Sequence, residues 1–322
     1  MENAGFWIIV FVVSLAALLK SSDLFVKASE KIGVSFGLSP FVVGALILAL
    51  GTSLPELVSG VIAVFNDVPE VLIGNVIGSN ITNIFFVLGF VALVSKKIQL
   101  NYDIIKIDLP LMVGSAVLLA FAFHDGVFQL YESIFFIIAL GVYLHYVITQ
   151  RNVAEVLELS AEERKKIASR KSFSNNWKQY ALLIISGVGI YFSADFNIQS
   201  IIKLSEIYNI GGEFIALTFV ALGTSLPELI VCMVAIFRGN PEMAIGNIVG
   251  SNIFNTFAVM GIPGLFGAII IPETILTFSL PLMIAATLLF FFMIQDKLIS
   301  RWEGALLLIL YIFYIVQLFL ML

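Results

Sequence analysis

Two stretches of this sequence are copies of one another. Residues 49–89 align with residues 221–261 without a gap, and 24 of the 41 positions are identical. The letters ALGTSLPEL open both copies, and IGNVIGSNITN in the first returns as IGNIVGSNIFN in the second. Because the copies stay 172 residues apart throughout, the chain is predicted to consist of two related halves.

The composition places both halves in a membrane. Hydrophobic residues make up 60% of the 322, charged residues make up only 12%, and the mean hydropathy is +1.05. Soluble domains carry about twice that share of charge, so a water-soluble globule and a disordered chain are excluded. The net charge of −5, with no long basic run, excludes a nucleic-acid-binding protein. The single cysteine excludes an internal disulfide framework.

Ten segments are apolar over the roughly 20 residues that a membrane-spanning helix needs. The predicted fold class is therefore an all-α polytopic membrane protein. Five spans fall in each half, and this odd number forces the second half to enter the membrane upside down, as an inverted-topology repeat. The first and sixth spans can run on as longer, tilted helices. The ten spans are residues 5–22, 40–65, 71–94, 108–124, 128–148, 179–195, 212–237, 243–270, 274–294 and 302–321.

The positions of lysine and arginine predict the orientation of the chain. With the N-terminus outside, 16 of the 17 basic residues fall in inner loops, and Lys203 is the exception. Lys203 is the repeat partner of Lys31, so inversion accounts for it. We therefore expect a multi-pass protein of the cell membrane with both termini outside. Its parts are a first five-helix repeat, a cytoplasmic linker loop and a second, inverted repeat, over residues 1–148, 149–178 and 179–322.

Two acidic residues lie deep inside predicted spans. Glu56 and Glu228 occupy equivalent positions of the second and seventh spans, whereas the other acidic residues lie in loops or near span ends. A carboxylate in the middle of a bilayer costs a few kcal/mol or more and needs a partner. No lysine or arginine lies at matching depth. The two side chains are therefore either protonated, with a structural role, or they share a cation.

The residues before each glutamate favour the cation. Pro55 and Pro227 cannot donate a backbone hydrogen bond to the preceding turn, so both helices should break or kink there. Backbone left unsatisfied at membrane depth is tolerated where another group, such as a bound ion, satisfies it. Hydroxyl groups lie three and four residues before each glutamate, on the same helix face. They belong to Thr52 and Ser53 in the first half and to Thr224 and Ser225 in the second.

The third and eighth spans each carry a polar stripe with a spacing of four residues. Its members are expected to be ligands at Ser79, Asn83, Ser251 and Asn255, and packing residues at Asn75 and Asn247. The alternative for all of them is hydrogen bonding between helices, where small and polar residues stabilise membrane packing. Glycines in the same spans are expected to permit close helix contacts. They are Gly74, Gly78, Gly246 and Gly250.

All of these candidate ligands present oxygen, with no histidine or thiol among them. Oxygen-only ligation suits hard cations. Ca²⁺ accepts six to eight flexible oxygen ligands, and Mg²⁺ tends to keep its waters. Two carboxylates neutralise one Ca²⁺, and several Na⁺ ions could replace it at the same groups. Competition for shared ligands would then couple the two ions.

The paired GTSLPE and GSNxxN segments, in two inverted five-span halves, resemble the cation/calcium exchanger superfamily, and in particular its prokaryotic sodium/calcium exchangers. The resemblance implies a core of the second, third, seventh and eighth spans that holds the ions, with the first and sixth spans sliding across it. It implies Ca²⁺ on Glu56 and Glu228 together with the carbonyls of Thr52 and Thr224. It also implies flanking Na⁺ sites, formed by the carbonyls of Ala49 and Ala221 with Ser53, Ser79, Ser225 and Ser251.

One position departs from the family pattern. Some of these exchangers have aspartate where this sequence has Asn255, opposite an asparagine at the position of Asn83. The loss of that charge leaves Na⁺ or H⁺ open as the coupling ion.

The sequence thus predicts a secondary antiporter that exchanges Ca²⁺ for Na⁺ across the lipid bilayer. A Ca²⁺/H⁺ antiporter is the alternative within the superfamily. A passive cation channel and an intramembrane protease are more remote, because one dense site with paired glutamates fits neither well. We expect no enzymatic activity, no cofactor beyond the transported ions, no nucleic-acid partner, and function as a monomer.

Overall fold

The computed structural model describes residues 4–66, 69–95, 97–101, 104–149, 177–207 and 225–321, and in these ranges the chain is mainly helical. The helices are α1 (Ala4–Phe36), α2 (Pro40–Val43), α3 (Ala49–Thr52), α4 (Leu54–Phe65), α5 (Pro69–Thr82), α6 (Gly89–Ser95), α7 (Asp108–Ala122), α8 (Leu130–Thr149), α9 (Trp177–Ile207), α10 (Leu226–Phe237), α11 (Pro241–Phe254), α12 (Leu280–Met293) and α13 (Arg301–Met321). Short π-helical stretches continue several of them, over Gly44–Leu48, Asn83–Leu88, Asn255–Val259 and Ile275–Ser279, and a 3₁₀ turn covers Pro263–Phe266.

The helices α1 and α9 are the longest, with 33 and 31 residues. They occupy equivalent positions in the two copies of the repeat, and they pack along one another. The helix α1 ends 14 residues after the predicted first span, and α9 ends 12 residues after the predicted sixth span. At a rise of about 1.5 Å per residue they exceed the hydrocarbon thickness of a bilayer, as the sequence allowed.

The centre of the fold is formed by the third and eighth predicted spans. In the helical stretches Pro69–Ser95 and Pro241–Phe266, 83% and 89% of the most apolar window is buried, against 11% for α1 and 22% for α13. Their apolar and polar residues alike are enclosed by other helices. The polar residues in the middle of these two stretches, among them Ser79, Asn83, Ser251 and Asn255, are therefore placed inside the protein and away from lipid.

Glycine lets α11 approach the second span through backbone contacts. A methyl group added at Gly246 would lie 2.2 Å from the carbonyl oxygen of Phe41, and one added at Gly250 would lie 2.4 Å from that of Ala45. These contacts confirm the expected close approach in the second half. In the first half, the described part of the chain places nothing within 4 Å of a methyl at Gly74, and only the Tyr314 hydroxyl, at 3.8 Å, near one at Gly78.

Two short antiparallel ribbons connect the halves. Strand β1 (Lys97–Gln99) pairs with β4 (Leu298–Ser300), and β2 (Val127–Phe128) pairs with β3 (Ile269–Ile270). Ile98 is opposite Ile299 in the first ribbon. Moving Ile98 forward and Ile299 back by the repeat offset of 172 gives Ile270 and Val127, which are opposite each other in the second. The two ribbons are thus equivalent under the repeat.

In the described ranges, seven helices are long and apolar enough to cross a membrane, and an eighth span results if the bent pair Pro40–Thr52 and Leu54–Phe65 counts as one. Two further apolar helices, α7 and α10, are shorter. The predicted seventh span covers residues 212–237, and its part up to residue 224 lies outside the described ranges. The helix α10 covers most of the remainder. The linker from 150 to 176 lies outside the described ranges as well.

Candidate functional site

The repeated sequence GTSLPE contains a helix break in the first half, and in the second half the described part begins at its serine. Ser53 separates α3 from α4 with backbone angles of −91° and 4°, and Ser225 precedes α10 with −92° and 3°. The two halves therefore share one local conformation. In the first half the helices on either side of the break are bent by 40°. The prediction placed the break at the prolines, but in the first half it lies two residues earlier, at Ser53. Each proline is accommodated in the first turn of the helix that follows its serine.

A glutamate lies in the first turn of each helix that follows these serines. Glu56 and Glu228 are each only 1% exposed, and they lie within electrostatic range of one another. Neither oxygen of the Glu56 carboxylate has a hydrogen-bond partner in the described part of the chain, and Oε2 of Glu228 has none there either. Burying a carboxylate without a partner is costly, so the two groups need a proton or a cation.

A hydrogen bond between Ser53 and Glu228 is one of those that join the two halves at the site. The hydroxyl of Ser53 donates to Oε1 of Glu228 at 3.4 Å, although the two residues are 175 positions apart. The equivalent contact would join Ser225 to Glu56. It is not formed: the Ser225 hydroxyl, 1% exposed, is buried without a partner among the described residues. The site is symmetric in composition and asymmetric in its bonding.

Asn83 and Asn255 lie at equivalent positions in the third and eighth spans. They are 1% and 0% exposed, and in the described part of the chain neither amide group has a partner for its oxygen or its nitrogen. Each of them is the first residue of a π-helical stretch. Such stretches are rare and occur often at functional sites, because they redirect side chains and carbonyls. Both amides remain available to a ligand.

Thr52 links the second span to the eighth. Its hydroxyl lies 3.4 Å from Oδ1 of Asn247 and 3.5 Å from the Ser251 hydroxyl. It also lies 3.4 Å from the carbonyl of Ala49, which accepts the Ser53 backbone amide at 3.0 Å. The structure thus brings together three predicted ligands, Thr52, Ser251 and Ala49, at one buried point.

Ser79 belongs to a second chain of polar contacts. Its hydroxyl donates to Oδ1 of Asn75 at 3.1 Å, and Nδ2 of Asn75 donates to the hydroxyl of Ser59 at 3.3 Å. Ser59 in turn donates to the carbonyl of Glu56 at 3.0 Å. Asn75 therefore holds two helices together, in agreement with its predicted packing role.

Asn247 has a contact that the sequence did not indicate. We expected it to be a packing residue like Asn75, but its amide oxygen accepts from Thr52, a predicted ligand. The only signal in the sequence was its spacing of four residues from Ser251. Two other predicted ligands, Ala221 and Thr224, lie outside the described residues.

The chemistry of these groups is that of a hard-cation site. Two carboxylates, five hydroxyls and two amides are buried, and several of them have no protein partner among the described residues. In the same part of the chain no group of three or more histidine, cysteine, aspartate or glutamate side chains could hold a metal ion. A cation here would therefore be held by two charges and by neutral oxygens, which is the ligand type of Ca²⁺ and Na⁺ rather than of Zn²⁺.

Comparison with known proteins gives one consistent result. Residues 6–149 and 178–320 match the family described as "Sodium/calcium exchanger protein". Sodium/calcium exchanger MaX1 of Methanosarcina acetivorans is 33% identical, over 97% of this chain and 98% of its own. A membrane protein of Methanocaldococcus jannaschii is 35% identical, over 96% of both. A solved structure of the sodium-calcium exchanger NCX_Mj, soaked with Na⁺ and Ca²⁺, superposes with a TM-score of 0.81 at 30% identity, over 97% of this chain and 98% of that one.

Proposed function

The chain belongs to the sodium/calcium exchanger protein family, and we propose that it is a secondary active antiporter that moves Ca²⁺ across a membrane in exchange for Na⁺. It is a transporter and not an enzyme. The two ions are its substrates, and its activity needs no resident cofactor.

The observation that carries this proposal is the pair of buried glutamates. Glu56 and Glu228 lie in different halves of the chain, are 99% buried, and keep three of their four carboxylate oxygens without a partner among the described residues. Two negative charges in one enclosed site are neutralised by one Ca²⁺. Several Na⁺ ions supply the same charge, so either species can satisfy the site.

The proposed ligands divide into two sets. Ca²⁺ is bound by Glu56 and Glu228 with the carbonyls of Thr52 and Thr224, and Asn83 and Asn255 add neutral amide oxygens. The flanking Na⁺ sites use the carbonyls of Ala49 and Ala221 and the hydroxyls of Ser53, Ser79, Ser225 and Ser251. Because both ions need the two carboxylates, they compete, and the loaded forms alternate.

We propose that the architecture is an inverted repeat of five helices each, over residues 1–148 and 179–322, with residues 149–178 as a cytoplasmic linker and both termini outside. Four observations support the repeat. They are the similar lengths of α1 and α9, the matching backbone angles at Ser53 and Ser225, the π-helical stretches at Asn83 and Asn255, and the two equivalent ribbons. The placement of lysine and arginine supports the orientation.

Alternating access requires a part that moves. The long helices α1 and α9 pack on each other, and an apolar cavity of about 660 Å³ lies between part of their surface and the broken second span. Its walls include Phe25, Leu50, Val58, Ile184 and Tyr191. An apolar interface breaks few directional bonds when it slides, so this pair is the proposed mobile element.

The test is Ca²⁺ uptake into vesicles that contain the purified protein, with Na⁺, K⁺ and H⁺ gradients imposed one at a time. An outward Na⁺ gradient at constant pH should drive uptake. Uptake that follows only the pH gradient would instead identify a Ca²⁺/H⁺ antiporter, and single-channel currents would identify a channel.

The site is tested in the same vesicles. Glu56→Gln and Glu228→Gln keep the shape and remove one charge, so each should abolish Ca²⁺ uptake while the protein still folds. Glu132→Gln is the matched control, since Glu132 is also largely buried, at 8% exposure, but binds the backbone amide of Gln129 at the start of α8. Normal exchange by either site variant would refute the assignment.

A further inference from the structure

Cys232 and Asn247 form a buried pair next to the candidate site. Cys232 lies on α10, one turn after Glu228, and Asn247 lies on α11; both are 0% exposed. Nδ2 of Asn247 donates to Sγ of Cys232 at 3.2 Å, and Sγ donates to the carbonyl of Ala244 at 3.5 Å. On the other side of the amide, Oδ1 of Asn247 accepts from the Thr52 hydroxyl at 3.4 Å. The amide therefore bridges the thiol and the site.

The chemistry of these groups determines which end of the amide faces the site. A carbonyl only accepts, so the thiol hydrogen points to Ala244 and leaves a sulfur lone pair for Asn247. That lone pair attracts the amide NH₂ and repels the amide oxygen. The oxygen of Asn247 is consequently turned toward Thr52. Without the sulfur, the amide could turn its hydrogens toward the place where a cation binds.

In the first half, the equivalent amide of Asn75 is oriented by a different acceptor. The position equivalent to Cys232 is Gly60, which has no side chain. There the amide nitrogen of Asn75 donates to the hydroxyl of Ser59 instead. The position equivalent to Ser59 is Val231, which offers no polar atom. In the second half, Cys232 thus takes over the acceptor role that Ser59 has in the first.

We propose that Cys232 is a positioning residue for ion binding: it holds the Asn247 amide so that its oxygen supports Thr52 at the break in the second span. The inference rests on the proposed function, because it assumes that the Thr52 region binds the transported cation. Cys232 itself is not a ligand, since its thiol is engaged by Asn247 and Ala244.

The experiment compares Cys232→Ala with Cys232→Ser in the vesicle assay. Alanine removes the acceptor, and we expect the Ca²⁺ concentration for half-maximal uptake to rise about threefold to tenfold, the worth of one buried hydrogen bond. Serine can donate to Ala244 and accept from Asn247, so its half-maximal concentration should stay within about twofold of the parent protein. In an Asn247→Ala background, Cys232→Ala should add less than about twofold.

Ala235→Gly is the control for a purely structural effect. It removes one carbon from another fully buried position of α10, so it should lower thermal stability and leave the half-maximal Ca²⁺ concentration unchanged. The inference is overturned if Cys232→Ala behaves like this control, if serine behaves like alanine, or if the loss persists in the Asn247→Ala background. Uptake by the unmodified protein tests the proposed function separately. If the unmodified protein shows no uptake, the proposed function itself is refuted.

Discussion

Arg238 is bound to Asp23. Its Nε and Nη2 atoms donate to the same carboxylate oxygen at 3.0 and 2.5 Å, and its Nη1 lies 3.6 Å from Oε2 of Glu30. Asn240, two residues later, donates to Glu30 as well. Asp23 and Glu30 belong to α1, and Arg238 and Asn240 belong to the turn between α10 and α11. This cluster therefore attaches the long helix to the core.

The described part of the chain holds no second, repeat-related copy of this contact. The position equivalent to Arg238 is Asn66, and the position equivalent to Asp23 is Asp195. Asn66 has no charge, and Asp195 accepts from Gln199 of its own helix at 2.7 Å. In an inverted repeat the two access states exchange the roles of the halves. A contact that exists in one half only should stabilise one access state over the other.

Arg238→Gln is therefore expected to shift the balance between the two states. Partly exposed ion pairs contribute up to about 1 kcal/mol, or about fivefold in population. The Arg238–Asp23 contact stabilises one access state, in which the site opens to one membrane face. Without it, the apparent affinity for Ca²⁺ should fall at that face and rise at the opposite face. Uptake measured in right-side-out and in inside-out vesicles checks both. Lys27→Gln on α1, where Lys27 is exposed, should change neither.

Asn66→Arg tests the same asymmetry from the other half. The new guanidinium would occupy the first-half position that is equivalent to Arg238 under the repeat. Its expected partner is Asp195, the equivalent of Asp23. When added to Arg238→Gln, this change should increase the shifts in apparent affinity that Arg238→Gln causes alone. In the parent protein it should counteract the Arg238–Asp23 contact and so produce shifts in the same direction as Arg238→Gln. An equal change at both membrane faces would contradict the interpretation.

Pro55→Ala should impair transport by straightening the second span. Pro55 lies at the second position of α4 and has no amide hydrogen to donate to Gly51. Alanine supplies that hydrogen and favours a continuous helix through Ser53 by about 3 kcal/mol, so we expect Ca²⁺ uptake to fall about tenfold or more. Pro241→Ala is the control. Pro241 is the first residue of α11 and follows a turn, so an amide hydrogen there would not join two helices into one. Uptake equal to that of the parent would show that the bend does not depend on Pro55.

Gly246→Ala should destabilise the protein. The added methyl would lie 2.2 Å from the carbonyl oxygen of Phe41, a backbone atom that cannot rotate away. Overpacking of this kind costs about 1–3 kcal/mol, which a lower unfolding temperature in detergent would reveal. Gly141→Ala on the exposed side of α8, where nothing lies within 4 Å among the described residues, should leave the temperature unchanged. Equal effects of the two changes would argue against close packing at Gly246.

Ca²⁺ should raise the unfolding temperature, and a chelator should reverse the effect. A ligand at 100 times its dissociation constant stabilises the folded state by about 2.7 kcal/mol. Glu56→Gln should abolish this stabilisation because it removes one of the two charges, whereas Glu132→Gln should retain it. The measurement requires no transport, so it separates ion binding from ion movement. Equal stabilisation of both variants would exclude Glu56 as a ligand.

Much of the architecture could be predicted from the letters alone. The apolar runs indicated a membrane protein, the repeat indicated two related halves, and Glu56 and Glu228 stood out because carboxylates are rare at that depth. The long first and sixth helices also agree with the prediction. Hydropathy, identity at a fixed offset and side-chain type are properties of the sequence itself, so these features needed no coordinates.

The positions of the helix breaks required the structure. The prolines predicted a break, but its place at Ser53 depends on how the first turn of the next helix accommodates a proline. The different role of Asn247 also escaped prediction, since Asn75 has the same spacing and the same neighbours in sequence.

The sequence by itself determined the membrane class, the family and the kinds of oxygen available to a cation. Only the tertiary structure decided that Ser53 binds Glu228 while Ser225 lacks the equivalent bond, that Cys232 holds Asn247, and that Arg238 attaches α1 to the core. These contacts join residues from different helices. Which groups meet there depends on how the helices pack, and two similar halves can pack their polar side chains differently.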